Sequence, residues 1–196
     1  MDSGFWGVFA ATFGLLFVAE IGDKTQLTVL ALAARRRPLA VLGGAAAAFA
    51  LLTLLAVVVG AAIAEVAPVA LVKSASGLLF LVFGLLALRE SGKAETVDRR
   101  NHRHPALEAF VLILGAEFLD KSQLATASLA SGGHPIATGL ASFLALMTSS
   151  VLAVATGGWL AKRVPAKFLR WGAGGLFLAV GFWLLGTATW QLVGHP

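Results

Sequence analysis

The 196-residue sequence contains no cysteine and no tyrosine, two methionines, and ten acidic residues against fifteen basic ones. Without cysteine there are no disulfides, no thiolate metal ligands and no cysteine nucleophile. Charged residues make up 13% of the chain, about half the ~25% typical of a soluble domain. Scarce charge excludes a disordered polar chain, and the absence of a Gly-X-Y period excludes a collagen-like one. What is present instead is apolar: 58% of residues are hydrophobic and the mean hydropathy is +0.86. This composition belongs to a membrane protein.

Six apolar stretches, at residues 5–33, 38–64, 68–88, 106–130, 135–161 and 165–190, are each near or above the ~20 residues a spanning helix needs. Four start on a proline (Pro38, Pro68, Pro135, Pro165), which suits a first helical turn because its missing N–H would be unpaired there anyway. The sequence therefore predicts an all-α membrane protein of six transmembrane helices. Residues 1–88 form one three-helix half, 89–105 a polar, basic linker and 106–196 a second half. The first ten residues carry Asp2 and no basic n-region, so no cleaved signal peptide is expected and the first helix is retained.

Assigning successive loops to alternate sides distributes the basic residues very unevenly. One side takes Arg35, Arg36 and Arg37, then Arg89, Lys93, Arg99, Arg100 and Arg103, then Lys162, Arg163, Lys167 and Arg170. The other takes only Lys73, while Lys24 and Lys121 fall inside spans. Positive loops stay in the cytoplasm, which places both termini outside. The high isoelectric point is then a topology signal, and no nucleic-acid partner is expected. Trp6 and Trp190 suit the outer lipid interface, Trp159 and Trp171 the inner one. The short chain and its Ala/Arg-rich usage point to a bacterial inner membrane, with an organelle as the lesser option; the size allows a monomer or a homodimer.

The sequence also repeats. Sliding it by 97 residues aligns 13–88 on 110–185 without a gap, with 25 identities in 76 pairs. AEIGDKTQL (19–27) falls on AEFLDKSQL (116–124), and Pro38/Pro135, Gly60/Gly157, Pro68/Pro165, Gly77/Gly174 and Gly84/Gly181 follow in register. Chance matching of Ala and Leu does not produce a polar string in step with prolines and glycines. Three spans per copy is an odd number, so the second copy enters the membrane upside down. The expected architecture is two inverted three-helix repeats related by a pseudo-two-fold axis in the membrane plane, an arrangement common in secondary transporters whose site lies near the midplane. The small-residue patterns (Gly43–Ala48 and the paired glycines) are read as close helix packing.

Four of the ten acids, Glu20, Asp23, Glu117 and Asp120, lie inside spans, accompanied by Lys24 and Lys121. On insertion scales six such charges cost roughly 15–20 kcal/mol gross, where Ala or Leu would cost nothing. Glu20 lies about fifteen residues into the first span and Glu117 about eleven into the fourth, which at ~1.5 Å per residue puts both in the middle third of the bilayer. Positions i, i+3 and i+4 share a helix face, so each motif presents its two acids and its lysine together. Thr25, Gln26, Thr28, Ser122, Gln123, Thr126 and Ser128 continue a polar stripe.

The bland alternative is a pair of structural i, i+4 ion pairs, but two symmetric sets with surplus acid go beyond it. Four carboxylates against two lysines leave a charge of about −2, which one divalent cation or two protons would neutralise. Like charges in a low-dielectric site resist simultaneous ionisation, so cation and protons compete for one place. Carboxylates, hydroxyls and amide oxygens suit hard cations such as Ca²⁺, Mn²⁺ or Mg²⁺. Softer metals want Cys, Met or His; here Met147 is the one methionine within a span, and His102, His104, His134 and His195 lie in loops or at the terminus. No resident cofactor is expected: the ion is cargo.

The string EIGDKT (Glu20–Thr25) resembles the signature of the Golgi-type Ca²⁺/Mn²⁺ cation/proton antiporter family, which has two copies of E-x-G-D-K-[T/S], one per three-helix half. The family includes relatives of human transmembrane protein 165 and small bacterial manganese exporters. The second copy here, EFLDKS (Glu117–Ser122), has Leu119 where the family pattern has Gly. The resemblance covers essentially the whole chain. It implies export of Mn²⁺, or Ca²⁺, from the cytoplasm in exchange for protons, with Glu20, Asp23, Glu117 and Asp120 as cation ligands and proton carriers. Thr25 and Ser122 would support them, and Lys24, Gln26, Lys121 and Gln123 would orient or balance the acids. Glycine lets a helix unwind, so Gly22 predicts a break in the first span while Leu119 predicts a regular fourth span.

Other functions fit less well. An intramembrane aspartyl protease would need a second catalytic Asp, a rhomboid-like protease a GxSxG serine and an intramembrane His, and a lipid-phosphate hydrolase an Arg or His at membrane depth. No enzymatic activity is expected. An exporter of organic solutes has no need of four clustered acids. A passive divalent-cation channel does share the need for a midplane acidic site, and obligatory proton counterflow is what separates it from an antiporter.

Overall fold

The computed structural model describes residues 3–21, 23–34, 36–89, 104–118, 120–156 and 166–193, and every regular element among them is an α-helix. In chain order these are α1 (Ser3–Glu20), α2 (Lys24–Ala33), α3 (Pro38–Val66), α4 (Val69–Arg89), α5 (Pro105–Glu117), α6 (Lys121–Ala130), α7 (Pro135–Ala155) and α8 (Ala166–Val193). Four are long and apolar enough to cross a membrane: α3, α4, α7 and, within α8, Trp171–Trp190. α1 and α2, bent by 68° across their break, make a fifth if taken as one span. The second, third, fifth and sixth predicted spans thus correspond to α3, α4, α7 and α8. The end of the fifth, the linker 90–103, Arg35, Lys162, Arg163 and Trp159 lie outside the described residues.

The fourth predicted span corrects the sequence reading. In place of one regular helix over 106–130 there are two short ones, α5 and α6, interrupted at the register where α1 gives way to α2. Phe118 (φ −62°, ψ 117°) and Asp120 (φ −70°, ψ 169°) adopt extended backbone, as does Asp23 (φ −70°, ψ 164°). Negative φ with large positive ψ is open to any L-residue, so a helix can be interrupted beside Leu119 without glycine. Gly22 and Leu119 themselves lie outside the described residues. Each break sets an Asp before the first turn of the following helix, a position Asp favours, yet neither carboxylate caps the backbone there.

The 97-residue offset reappears in the helix boundaries: Glu20 and Glu117 end helices, Lys24 and Lys121 begin them, and so do Pro38 and Pro135. It reappears in packing as well. α4 and α8 pack antiparallel through glycines: a Cβ on Gly77 would sit 3.0 Å from the Gly181 carbonyl oxygen, and one on Gly84 would sit 3.0 Å from that of Gly174. The reciprocal approaches, Gly174 to Gly84 and Gly181 to Gly77, are equally close. Residue i of one copy thus meets j of the other, and j meets i. α3 runs alongside both halves of the broken pair: its Gly44 backs onto Ala106 of α5 and its Gly60 onto Ala127 of α6.

Two apolar clusters flank the breaks. One joins Val29, Val41, Ala45, Phe49, Ile113 and Leu146; the other joins Leu16, Phe80, Ala125 and Phe177. The outer helix surfaces are apolar too, with Trp6, Phe168, Trp171, Trp183 and Trp190 all more than half exposed. In water that surface would be a liability; facing lipid it is the expected finish for a multi-pass membrane protein.

Candidate metal centre

The two helix breaks meet inside the bundle. Glu20, at the end of α1, and Glu117, at the end of α5, are almost wholly buried, with 2% and 0% of their surface exposed. Carboxylate oxygens of Glu20, Asp23 and Glu117 all lie within 4.8 Å of one another. Three carboxylates from two separate breaks are thus close enough to share one cation. Lys121, which opens α6, donates to Asp23 Oδ1 at 2.8 Å and so crosses from the second motif to the first. Asp120 sits half-buried at its own break, outside this trio. The Lys24 side chain lies outside the described residues.

The hydroxyls are shared unequally. Thr25, the second residue of α2, donates to Glu117 Oε1, and Ser122, its counterpart in α6, donates to Glu117 Oε2 at 2.8 Å. Sequence symmetry would give one to each glutamate; both go to Glu117. Among the described residues Glu20 Oε1 and Asp23 Oδ2 are buried and accept no hydrogen bond. Buried carboxylate oxygens without donors are costly unless something else supplies positive charge. Ser122→Ala should leave Glu117 short of a donor and lower stability by about 1–3 kcal/mol. Thermal unfolding of the detergent-solubilised protein measures this, and an unchanged midpoint would contradict the bond.

The glutamines behave differently from each other. Gln26 on α2 donates to the Ser149 carbonyl at 2.9 Å, with the Ser149 hydroxyl at 3.2 Å, tying α2 to α7. The residue matching Ser149 in the first copy is Leu52. Leu52 lacks the hydroxyl but keeps the carbonyl, yet Gln123 has neither amide atom paired among the described residues, though both are buried. Ser149, Ser142 and Thr138 escaped sequence reasoning, although their spacing along one face of α7 was a signal for a polar seam. The sequence gives no signal for Glu108 either, a buried acid 3.5 Å from Arg36, so that arginine has an acidic partner besides serving as a topology charge.

Comparison with known proteins adds to this geometry. The family model described as divalent cation/proton antiporter GDT1 matches residues 8–95 and 105–191, two segments whose starts are separated by the repeat offset. The chain is 27% identical over 203 residues to the chloroplastic PAM71-homolog of Arabidopsis thaliana, covering 87% of this chain and 56% of that protein. It is 28% identical over 201 residues to GDT1-like protein 3 of Oryza sativa subsp. indica, covering 89% and 72% respectively. It is 28% identical over 214 residues to GDT1-like protein 5 of Oryza sativa subsp. japonica, covering 89% and 92%. The chain thus spans little more than half of the first of these relatives. No solved structure matches it. Matched by the family model over nearly its whole length, the chain belongs to the GDT1 family of divalent cation/proton antiporters, a family of transporters rather than enzymes.

Proposed function

We propose that this protein is a secondary antiporter that exports a hard divalent cation, Mn²⁺ foremost and Ca²⁺ next, from the cytoplasm in exchange for protons. The observation that carries this reading is the trio of buried Glu20 and Glu117 with half-buried Asp23, their oxygens within 4.8 Å of one another. With one lysine beside it, the ionised trio has a charge of −2, matched by one divalent cation or by two protons. An all-oxygen donor set with hydroxyls alongside favours Mn²⁺, Ca²⁺ or Mg²⁺ over softer ions. Glu20 and Asp23, each with an oxygen that meets no donor among the described residues, would take the cation's charge first; Glu117, already held by Thr25 and Ser122, would complete the shell. Asp120 is the fourth ligand or a proton carrier at the rim.

We take α1–α2 and α5–α6 each as one broken span, which gives six spans in two inverted repeats. The reciprocal glycine contacts between α4 and α8 support this, as does the course of α3 past both α5 and α6. Alternating access then amounts to one repeat moving against the other around the breaks. The loop charges favour termini outside, in a bacterial inner membrane, although two of the matched relatives are chloroplastic.

Acid-loaded proteoliposomes challenged with Mn²⁺, Ca²⁺, Mg²⁺ or Zn²⁺ test the reading. Mn²⁺ or Ca²⁺ should trigger proton efflux that Zn²⁺ does not. Cation entry without proton movement would replace the antiporter with a channel.

A further inference from the structure

The two copies differ most in one place. In the second, hydroxyls line the seam between α6 and α7: Ser122 Oγ is on Glu117, Thr126 Oγ1 donates to the Ser122 carbonyl at 2.8 Å and lies 3.1 Å from Ser142 Oγ, and Ser142 Oγ donates to the Thr138 carbonyl at 2.7 Å. Thr138, one turn before Ser142 on the same face of α7, is completely buried, and its own hydroxyl has no partner among the described residues. In the first copy, the residues matching Thr126, Ser142 and Thr138 are Val29, Ala45 and Val41. All three are fully buried in one apolar cluster. The same backbone positions therefore pack well without any hydroxyl, and a buried hydroxyl without a partner is a cost that packing alone does not explain.

We infer that the α6–α7 seam, lined by Ser122, Thr126, Ser142 and Thr138, is the route by which the divalent cation passes between the acidic trio and the membrane face carrying the α6–α7 loop. The matching α2–α3 seam stays dry. A row of hydroxyl oxygens can replace water around a hard cation step by step as it loses its hydration shell. The seam ends on Glu117 through Ser122, so an ion travelling along it arrives at the trio. The identity of the cargo rests on the antiporter reading above; the location of the route rests on the contrast between the two seams.

The absence of cysteine makes the test direct. Single variants Ser142→Cys and Thr138→Cys, and their counterparts Ala45→Cys and Val41→Cys, are treated in permeabilised membranes with a cationic methanethiosulfonate reagent. The hydroxyl-seam cysteines should react at least about 10-fold faster than the other pair, because only a wetted thiol ionises and reacts, and Mn²⁺ should slow them. Equal labelling of both seams, labelling of neither, or labelling that Mn²⁺ does not slow would each overturn the route. A Thr126→Val/Ser142→Ala/Thr138→Val variant, which copies residues the first repeat already packs, gives a second readout. Mn²⁺ transport should fall at least about 10-fold while Mn²⁺ binding in detergent stays within about 2-fold. Unchanged transport, or binding lost in step with transport, would contradict it. Seam cysteines that label as expected, in a protein whose cysteine-free wild type moves no cation, would count against the antiporter reading alone.

Discussion

Replacing Glu117 with Gln is expected to abolish cation-coupled proton movement while leaving the protein folded. Glu117 is the acid at which the two halves converge, accepting from Thr25 of the first and Ser122 of the second. Gln keeps its shape and one acceptor oxygen, and a hydroxyl facing the new amide nitrogen can rotate and accept instead. What disappears is one negative charge from a buried trio. Breaking a buried charge set costs about 3 kcal/mol or more, equivalent to at least ~100-fold in cation affinity. Glu20→Gln should act similarly, since its Oε1 is buried and has no hydrogen-bond partner among the described residues, which leaves it to an ion or a proton. Proton efflux from proteoliposomes, together with an unchanged elution profile in detergent, measures both effects. Wild-type rates in either variant would remove these residues from the site.

The second large effect is structural. Gly44→Ala should destabilise the bundle, whereas Gly43→Ala, one residue away, should not. A Cβ on Gly44 would lie 2.0 Å from the Ala106 carbonyl oxygen and 3.0 Å from the Ala109 methyl, and backbone cannot swing aside as a long side chain can. α3 and α5 would have to separate. On Gly43 the same atom meets nothing within 4 Å. Overpacking of this kind costs typically ~1–3 kcal/mol. Gly60→Ala presses in the same way on Ala127 at 2.2 Å, and there the displaced element is α6, which carries Lys121 and Ser122. Its transport should therefore fall together with its stability. Thermal midpoints of the three variants in detergent decide the matter, and equal values for Gly43→Ala and Gly44→Ala would refute the close approach.

Much of this was legible in the sequence because it depends on spacing. The prolines at 38 and 135 start helices, the first span breaks just after Glu20 as Gly22 suggested, and the paired glycines sit in close helix packing, since a duplicated sequence carries its local structure with it. Glu20, Asp23, Glu117 and Asp120 could be grouped by their cost in lipid alone. The rest depends on partners that spacing does not specify. Leu119 argued for a regular fourth span, but the neighbouring residues reach extended geometry without glycine. Thr25 and Ser122 match each other in sequence, yet both serve Glu117, a choice made by how α2 packs against α5. Asp120 repeats Asp23 in sequence but stands outside the trio. Gln26 and Gln123 look alike until α7 brings the Ser149 carbonyl and hydroxyl to the one, while among the described residues neither amide atom of the other is paired.

The central claim, that one buried carboxylate site exchanges a divalent cation for protons, is tested most directly by counting protons released as Mn²⁺ binds. Titration calorimetry of the detergent-solubilised protein in two buffers of different ionisation enthalpy gives that number without requiring transport. The account predicts binding that releases protons in the wild type, and loss of both the binding and the release in Glu20→Gln and Glu117→Gln. Mn²⁺ binding with no proton released, or binding that survives both substitutions, would contradict it.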